Sequence, residues 1–382
     1  MKKTTTLIAS FFFTIILSAQ IVPGQNHKNL TKAVDNQKIM KGDEDLSHLM
    51  VHPNPHTHAL MSSKSSVFPS QVIGYTTYDL QSNGSVQNRI AVHNDGTISA
   101  AWTMSKEFTT SYNDRGTGYN YFDGTSWINQ ISQPTDQPDR IETSRVGWPS
   151  VFGLGNGEER VITHSTGLNV LNQASRSSIG SGVWSDASIG EFYMIWNRSA
   201  AGGLDGNTIH MIALTEPMGT GWSGSLYNGL NGALLYFRSQ DGGNFWDIDT
   251  MQLPQIDTAH HLGFSADNYA ISSKGQTVVV AYFNDWGDSF IVKSTDNGEN
   301  WTSTIFLDFP VDKYAIDEGL DLDSDGTLDQ VYSTDNSGAL IIDDNGNAHV
   351  FYGIMSYADD DLSDASSSWF PLTNGIESTK IN

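Results

Sequence analysis

Tyr269-Ala-Ile-Ser-Ser-Lys-Gly-Gln-Thr-Val-Val-Val-Ala-Tyr-Phe283 and its continuation Ser289-Phe-Ile-Val-Lys-Ser-Thr-Asp-Asn-Gly-Glu-Asn-Trp-Thr-Ser-Thr-Ile-Phe-Leu307 form the stretch around which the chain is organised. Four short β-rich runs lie within residues 269–309. Turn residues separate them at Lys274-Gly275, at residues 285–288 and at Asn297-Gly298. Runs of this length, broken by Gly, Asp and Asn, predict one antiparallel sheet of four strands. One such sheet has two apolar faces and cannot bury both alone, so further copies are expected.

Those copies are present. Arg89-Ile-Ala-Val-His-Asn-Asp-Gly-Thr-Ile-Ser-Ala-Ala-Trp102 and Ala339-Leu-Ile-Ile-Asp-Asp-Asn-Gly-Asn-Ala-His-Val-Phe-Tyr352 have the shape of residues 269–282. A degenerate copy spans residues 148–163, with its turn at Leu154-Gly155-Asn156-Gly157. The octet Ser294-Thr-Asp296-Asn-Gly298-Glu-Asn-Trp301 recurs as Ser239-Gln-Asp241-Gly-Gly243-Asn-Phe-Trp246. Both follow Ser-x-Asp-x-Gly-x-x-Trp and resemble the Asp-box (BNR repeat) of sialidase-like β-propellers of the secreted bacterial kind. Phe122-Asp-Gly-Thr-Ser-Trp127 is a looser relative. In such a box the carboxylate accepts hydrogen bonds inside the hairpin, glycine supplies the positive-φ turn residue, and Trp packs beneath.

The fold class expected is therefore all-β, a β-propeller of four-stranded antiparallel blades. The blades are placed at about 86–134, 145–188, residues 192–246 with a Gly-rich insertion at 219–232, 269–309, and from Ala339 onward. The family implies six or more blades. No final strand is recognised in residues 366–382, so the chain reads as truncated at its C-terminus. Residues 72–80 are β-like and are expected to complete the last blade and close the ring.

Residues 1–20 read as a signal peptide: Lys2-Lys3, the apolar residues 7–17, then Ser18-Ala19-Gln20. Residues 21–71 read as a polar tail, and residues 72–382 as the propeller. The prolines beside His52, His56 and His58 keep that tract extended, which favours a tail over a metal site. A secreted monomer or cell-surface protein without membrane insertion is expected. The formal charge of −23, with only 20 basic residues, makes nucleic acid a poor partner. The absence of cysteine excludes disulfides and thiol chemistry.

Asp321-Leu-Asp323-Ser-Asp325-Gly-Thr327-Leu-Asp329 places acids at alternate positions around a glycine. Hard oxygen ligands at that spacing suit Ca²⁺, with Asp321, Asp323, Asp325 and Asp329 giving carboxylates and Thr327 its carbonyl. The loop resembles those of integrin-type propellers; the other reading is a solvated acidic turn. Glu158-Glu159, Asp317-Glu318, Asp359-Asp360-Asp361 and His260-His261 read as loops.

Two functions follow from the resemblance. One is an extracellular module that binds a glycan or a protein, with calcium fixing a loop. The other is an exo-acting glycoside hydrolase of the sialidase type, which needs three arginines around the substrate carboxylate, a Tyr/Glu pair and an Asp. Arg89 stands near the family's first arginine position but is followed by Ile90-Ala91, without the family's proline. No arginine occurs after Arg238, and lysine lacks the bidentate fork. This distribution favours the binding module, and catalytic residues stay unassigned.

Overall fold

The apolar run Val278–Phe283 is buried throughout, and its alternation explains why. Val278, Val280 and Tyr282 join one core, while Val279, Ala281 and Phe283 join another on the opposite face of the same sheet. A strand covered on both sides loses the polar alternation of a surface strand. Each valine buried in this way contributes about 1.5–3 kcal/mol.

The computed structural model describes residues 70–86, 88–109, 111–165, 170–190, 194–219 and 222–381, with residues 371–377 as backbone only. The expected signal peptide, most of the expected polar tail and its histidines lie outside the described residues. The first sheet is β1 (Ile90–Val92), β2 (Ile98–Met104) and β3 (Gly116–Phe122). The second is β4 (Val146–Gly153), β5 (Glu159–Ser165), β6 (Leu171–Arg176) and β7 (Ser185–Ile189). The third joins β8 (Met194–Gly202), β9 (Thr208–Thr215), β12 (Leu234–Ser239) and β13 (Ile248–Met251), interrupted by the small hairpin β10 (Met218–Gly219) and β11 (Trp222–Ser223). The fourth is β14 (Tyr269–Lys274), β15 (Thr277–Tyr282), β16 (Ser289–Ser294) and β17 (Thr302–Leu307). The fifth is β18 (Gln330–Ile342), β19 (Ala348–Ala358) and β20 (Ser368–Ile381).

Every main sheet is an antiparallel meander, and the first strands neighbour one another in the order β1, β4, β8, β14, β18. Cores lie between sheets one and two (Ala101 and Tyr119 with Val151 and Val161) and between four and five (Ile291 with Leu340 and Val350). The largest core runs across sheets two, three and four. These are blades of a β-propeller. Among the described residues they number five, three of them four-stranded; the family had implied six or more. The single helical element among them is a 3-10 turn at Pro134–Asp136, and no described helix is long and apolar enough to cross a membrane.

Two expectations are corrected. The fifth sheet begins at Gln330, well before Ala339, and ends in a 14-residue strand, β20, where none was recognised. Pro371 reads as a strand breaker in sequence, but on a strand paired along one side only its missing N–H is tolerated. Residues 72–80 form no strand. Tyr75 N–H donates to Gln137 Oε1 at 2.8 Å and Thr77 N–H to Ser105 O at 2.8 Å, so this segment crosses the first sheet.

The segment then turns to where the first strands converge. Ser85 N–H reaches Asp267 O at 2.8 Å, before β14, and Ser85 Oγ accepts from Gly338 N–H of β18 at 3.0 Å. Arg198 of β8 donates to Ser85 O at 3.0 Å. The lead-in to the first blade thus touches the third, fourth and fifth. Around this point each first strand, or the second residue before it, carries a left-handed residue: Asn88 (φ 60°), Trp148 (54°), Trp196 (49°), Asp267 (64°) and Asn336 (62°). Left-handed backbone costs a bulky residue about 1–2 kcal/mol, and neighbouring blades hold it. Trp148 N–H donates to Thr103 Oγ1 and Trp196 N–H to His164 Nδ1, each at 3.0 Å.

Candidate functional site

The two octets occupy corresponding turns after β12 and β16. In the second, Ser294 Oγ donates to Asp296 Oδ1 at 2.8 Å, and Asn300 N–H reaches the same oxygen at 2.9 Å. Ser294 Oγ accepts Gly298 N–H at 2.9 Å. In the first, Ser239, Asp241 and Gly243 repeat the pattern at 2.8–2.9 Å. Trp301 lies edge-on to Tyr236 at 4.9 Å and Trp246 to Phe237 at 6.4 Å. Gly298 has φ +85°, and an added Cβ would fall 2.2 Å from Tyr236 Oη, so no side chain fits there. The Asn300 bonds, with Ser294 adding to them, hold the Asp296 carboxyl down to about 2. Its contribution is complete above the ordinary carboxylate range and is lost as pH falls through about 2. Asp296→Asn should therefore lower the melting temperature at neutral pH and flatten its fall below pH 4 in a thermal melt series.

The octets follow third strands. The opposite edge of the blades, where first strands begin and second strands end, carries a different chemistry. There a belt of rings runs from the first sheet to the third. Tyr112 meets Tyr78 at 5.1 Å, Tyr78 meets Trp148 at 6.1 Å, and His164 stacks on Trp148 at 4.8 Å. His164 meets Trp196 at 6.3 Å, and Trp196 meets Trp222 at 5.2 Å. The Arg115 guanidinium lies 4.9 Å from both the Tyr78 and Trp148 rings, a cation–π sandwich. It donates to Tyr78 Oη at 3.1 Å and to Val146 O at 3.2 Å. Arg115 Nη2 and Trp148 Nε1 are buried without a partner. Trp148 and Trp196 are buried, whereas Trp222 is 42% exposed beside Met218 and Leu226, each 51% exposed. These three exposed residues stand on and beside the β10–β11 hairpin.

His164 is neutral. Burial, with like charge from Arg115, Arg198 and Arg89, pushes its imidazole down to about 3. Because Nδ1 accepts Trp196 N–H, the single proton sits on Nε2.

Beneath the belt, Arg198 and Asp267 form an ion pair at 2.5 Å with both side chains fully buried. Asp267 Oδ2 also accepts Asn83 N–H at 2.8 Å and Asn83 Nδ2–H at 3.0 Å. Arg89 is half-buried and gives Nη2–H to Gln81 O at 2.8 Å, while its Nε and Nη1 have no partner. Burial first and Arg198 second lower its pKa to about 9, against Asp267, so it stays charged at neutral pH.

Of the proposed calcium ligands, Asp321, Asp323 and Asp325 are exposed and bring carboxylate oxygens within 4.8 Å of one another. Asp321 accepts the amides of Asp325 and Gly326 at 3.1 and 3.0 Å, which fixes the loop's curl. Asp329 is not in that group, and its Oδ2 accepts Leu322 N–H at 2.6 Å. Thr327 N–H donates to Asp325 Oδ1 at 2.7 Å. The donor set is all hard oxygen and fits Ca²⁺ or a similar cation.

Two readings of solvated loops are corrected: Glu159 is fully buried and pairs with Arg176, and Asp359 is only 1% exposed. His260-His261 lies in the connection between β13 and β14, with His261 buried among Phe264, Tyr282 and Phe290. The belt escaped the sequence reading because its rings come from separate segments. One local signal existed: Trp148-Pro149-Ser150 and Trp196-Asn197-Arg198 place a Trp at the same point of consecutive first strands.

No protein-family model matches the chain, and no curated protein matches it significantly. Among solved structures, it is similar to a GH43 β-xylosidase/α-arabinofuranosidase from a compost microbial metagenome, in complex with xylotriose in a calcium-free form. Identity is 11% and the TM-score 0.41, covering 82% of this chain and 96% of that one. It is also similar to the six-bladed Aleuria aurantia lectin, with a fucose recognition mode, at 9% identity and TM-score 0.39, covering 75% and 77%. The intramolecular trans-sialidase from Ruminococcus gnavus aligns at 14% identity and TM-score 0.35, covering 71% of this chain and 51% of that one. Similarities this distant transfer no role to any residue here.

Proposed function

We propose that the chain is an extracellular glycan-binding β-propeller module whose saccharide lies on the belt running from Tyr112 to Trp222. The observation that carries this reading is the run of rings spaced 4.8–6.3 Å apart and ending in the exposed Trp222. Pyranose rings have an apolar face that stacks on aromatic side chains, while their hydroxyls seek fixed donors. At the belt's exposed end Trp222 offers such an aromatic ring beside Met218 and Leu226. Rings held by packing and bulged backbone are preorganised, so little entropy is lost on binding. A glycan array probed with the full chain should give hits that fade by about tenfold in apparent affinity for Trp222→Ala, the loss of one stacking ring. Equal binding by that variant, or no hit at all, contradicts the reading.

The sialidase alternative would draw on Arg89, Arg115 and Arg198, whose charges add to burial in lowering His164. Arg198, however, is spent on Asp267 and Ser85 and is fully buried. That set therefore makes no three-arginine clamp, and the binding reading is preferred.

The same module would carry Ca²⁺ on Asp321, Asp323 and Asp325, with Asp329 and Thr327 adjoining. Bound calcium would neutralise crowded carboxylates and set the loop that leads into β18. A cation that binds only the folded state stabilises it by about 2.7 kcal/mol at a hundredfold excess over its Kd. EDTA should lower the melting temperature, and Asp323→Ala should melt lower than wild type in calcium. Identical melts for wild type with calcium, wild type with EDTA and the variant would leave the loop as solvated surface.

A further inference from the structure

The connection from β17 to β18 contains an acidic pair separate from the calcium loop. Asp359, at the end of β19, is 1% exposed. Its Oδ2 accepts two hydrogen bonds, from Tyr314 Oη and from Asp317 N–H, the latter at 2.7 Å. Its Oδ1 is buried and has no partner. Asp317 repeats the arrangement: Oδ2 accepts Ala365 N–H at 3.1 Å, and Oδ1 is buried without a partner. Because the Asp317 amide rests on the Asp359 carboxylate, the two acids adjoin. Neither has an ion-pair partner among the described residues. Asp359 is buried against Tyr314, itself part of an apolar cluster with Phe309, Leu320, Val331 and Tyr357, which makes the want of a cation costly. Burial and Asp359 together raise the Tyr314 phenol above its usual range, so it stays protonated and donates to the carboxylate.

We propose that Asp317 and Asp359 hold a hard divalent cation, of the calcium class, on their two unpaired Oδ1 atoms. Each acid turns one oxygen to a protein donor and keeps the other for the ion, as a carboxylate ligand with a hydrogen-bonded outer partner does. Water completes the coordination that a two-carboxylate site leaves open. The ion would fasten the β17–β18 connection to the end of β19 and so clamp the fifth blade.

Terbium is the probe. Trp286 stacks on Tyr314 at 5.0 Å, and Tyr314 bonds Asp359, so indole excitation will sensitise Tb³⁺ bound at this pair. The full chain should give saturable sensitised emission that calcium displaces. Asp359→Asn and Asp317→Asn should weaken its apparent affinity by at least about tenfold. Asp323→Asn, six residues beyond Asp317 in the separate loop, should keep it. Emission that is unchanged in both pair variants, or lost only in Asp323→Asn, or absent from the wild type, overturns the proposal. Should Asp359→Asn fail to fold, Asp317→Asn decides alone, since its side chain carries a single amide bond.

Discussion

Asp267→Asn should cost the fold about 3–5 kcal/mol, the usual loss when one partner of a buried ion pair is removed. Asn keeps the shape and tolerates the left-handed backbone at φ 64°, so the loss reports charge. Without the carboxylate, Arg198 remains fully buried beside Arg89 with no counter-charge. The damage spreads because Asp267 also receives Asn83, and Arg198 holds Ser85, which bonds Gly338. Three blades and the lead-in segment lose their common tie. Denaturant melts of a double-mutant cycle separate charge from packing. Arg198→Met added to Asp267→Asn should recover part of the loss, since a buried pair replaced by apolar volume is often tolerated. A single Asp267→Asn within 1 kcal/mol of wild type (about the scale of a surface substitution) would show that the pair holds nothing.

Acid should unfold the protein from below neutrality through three buried imidazoles. Burial, the first cause in each, sets His164 and His210 to about 3 and His261 to about 4. The unfolded chain protonates these groups below 6.5, whereas the folded chain does not until its lowered values. Stability is therefore complete above 6.5 and falls as pH drops through that window, with a limiting slope of about 4 kcal/mol per pH unit for three protons. Glu142 works the other way. Burial raises it to about 7, so between 4.5 and 7 the folded state keeps a proton that the unfolded state has lost. That offsets about one proton of three, and the imidazoles win. Thermal melts between pH 7 and pH 5 should show a steep decline. His261→Phe, placed among Phe264, Tyr282 and Phe290, should reduce the net slope by about half. A flat profile would mean that the imidazoles titrate alike in both states.

The sheets were legible in sequence where their information is local. Residues 269–309 carry two-residue turns, a doubly buried apolar run and an octet whose Ser294 and Asp296 side chains bond only within the octet. Each feature survives being read alone. Among the candidate sites only the acidic loop at residues 321–329 was legible, for the same reason. Asp267 meets Asn83 across 184 residues and Arg198 across 69, distances over which no spacing rule operates. The belt joins rings from several separate segments. Residues 72–80 misled because β-propensity measures fit to a half-buried pleated surface, whereas their amides find loop and side-chain acceptors instead. β20 was missed because Pro371 and Asn374-Gly375 read as breakers, and the register shift between Gly353 and Met355 absorbs them.

The most direct test of the belt as the ligand platform is calorimetric titration with an oligosaccharide chosen from the array. Wild type, Trp222→Ala and Asp296→Asn should be compared, the last lying at the opposite edge of the blades. The expected result is a Kd weaker by about tenfold for Trp222→Ala, or 1.4 kcal/mol, and an unchanged Kd for Asp296→Asn. A Trp222→Ala that binds as wild type does, or an Asp296→Asn that loses as much, would contradict the account.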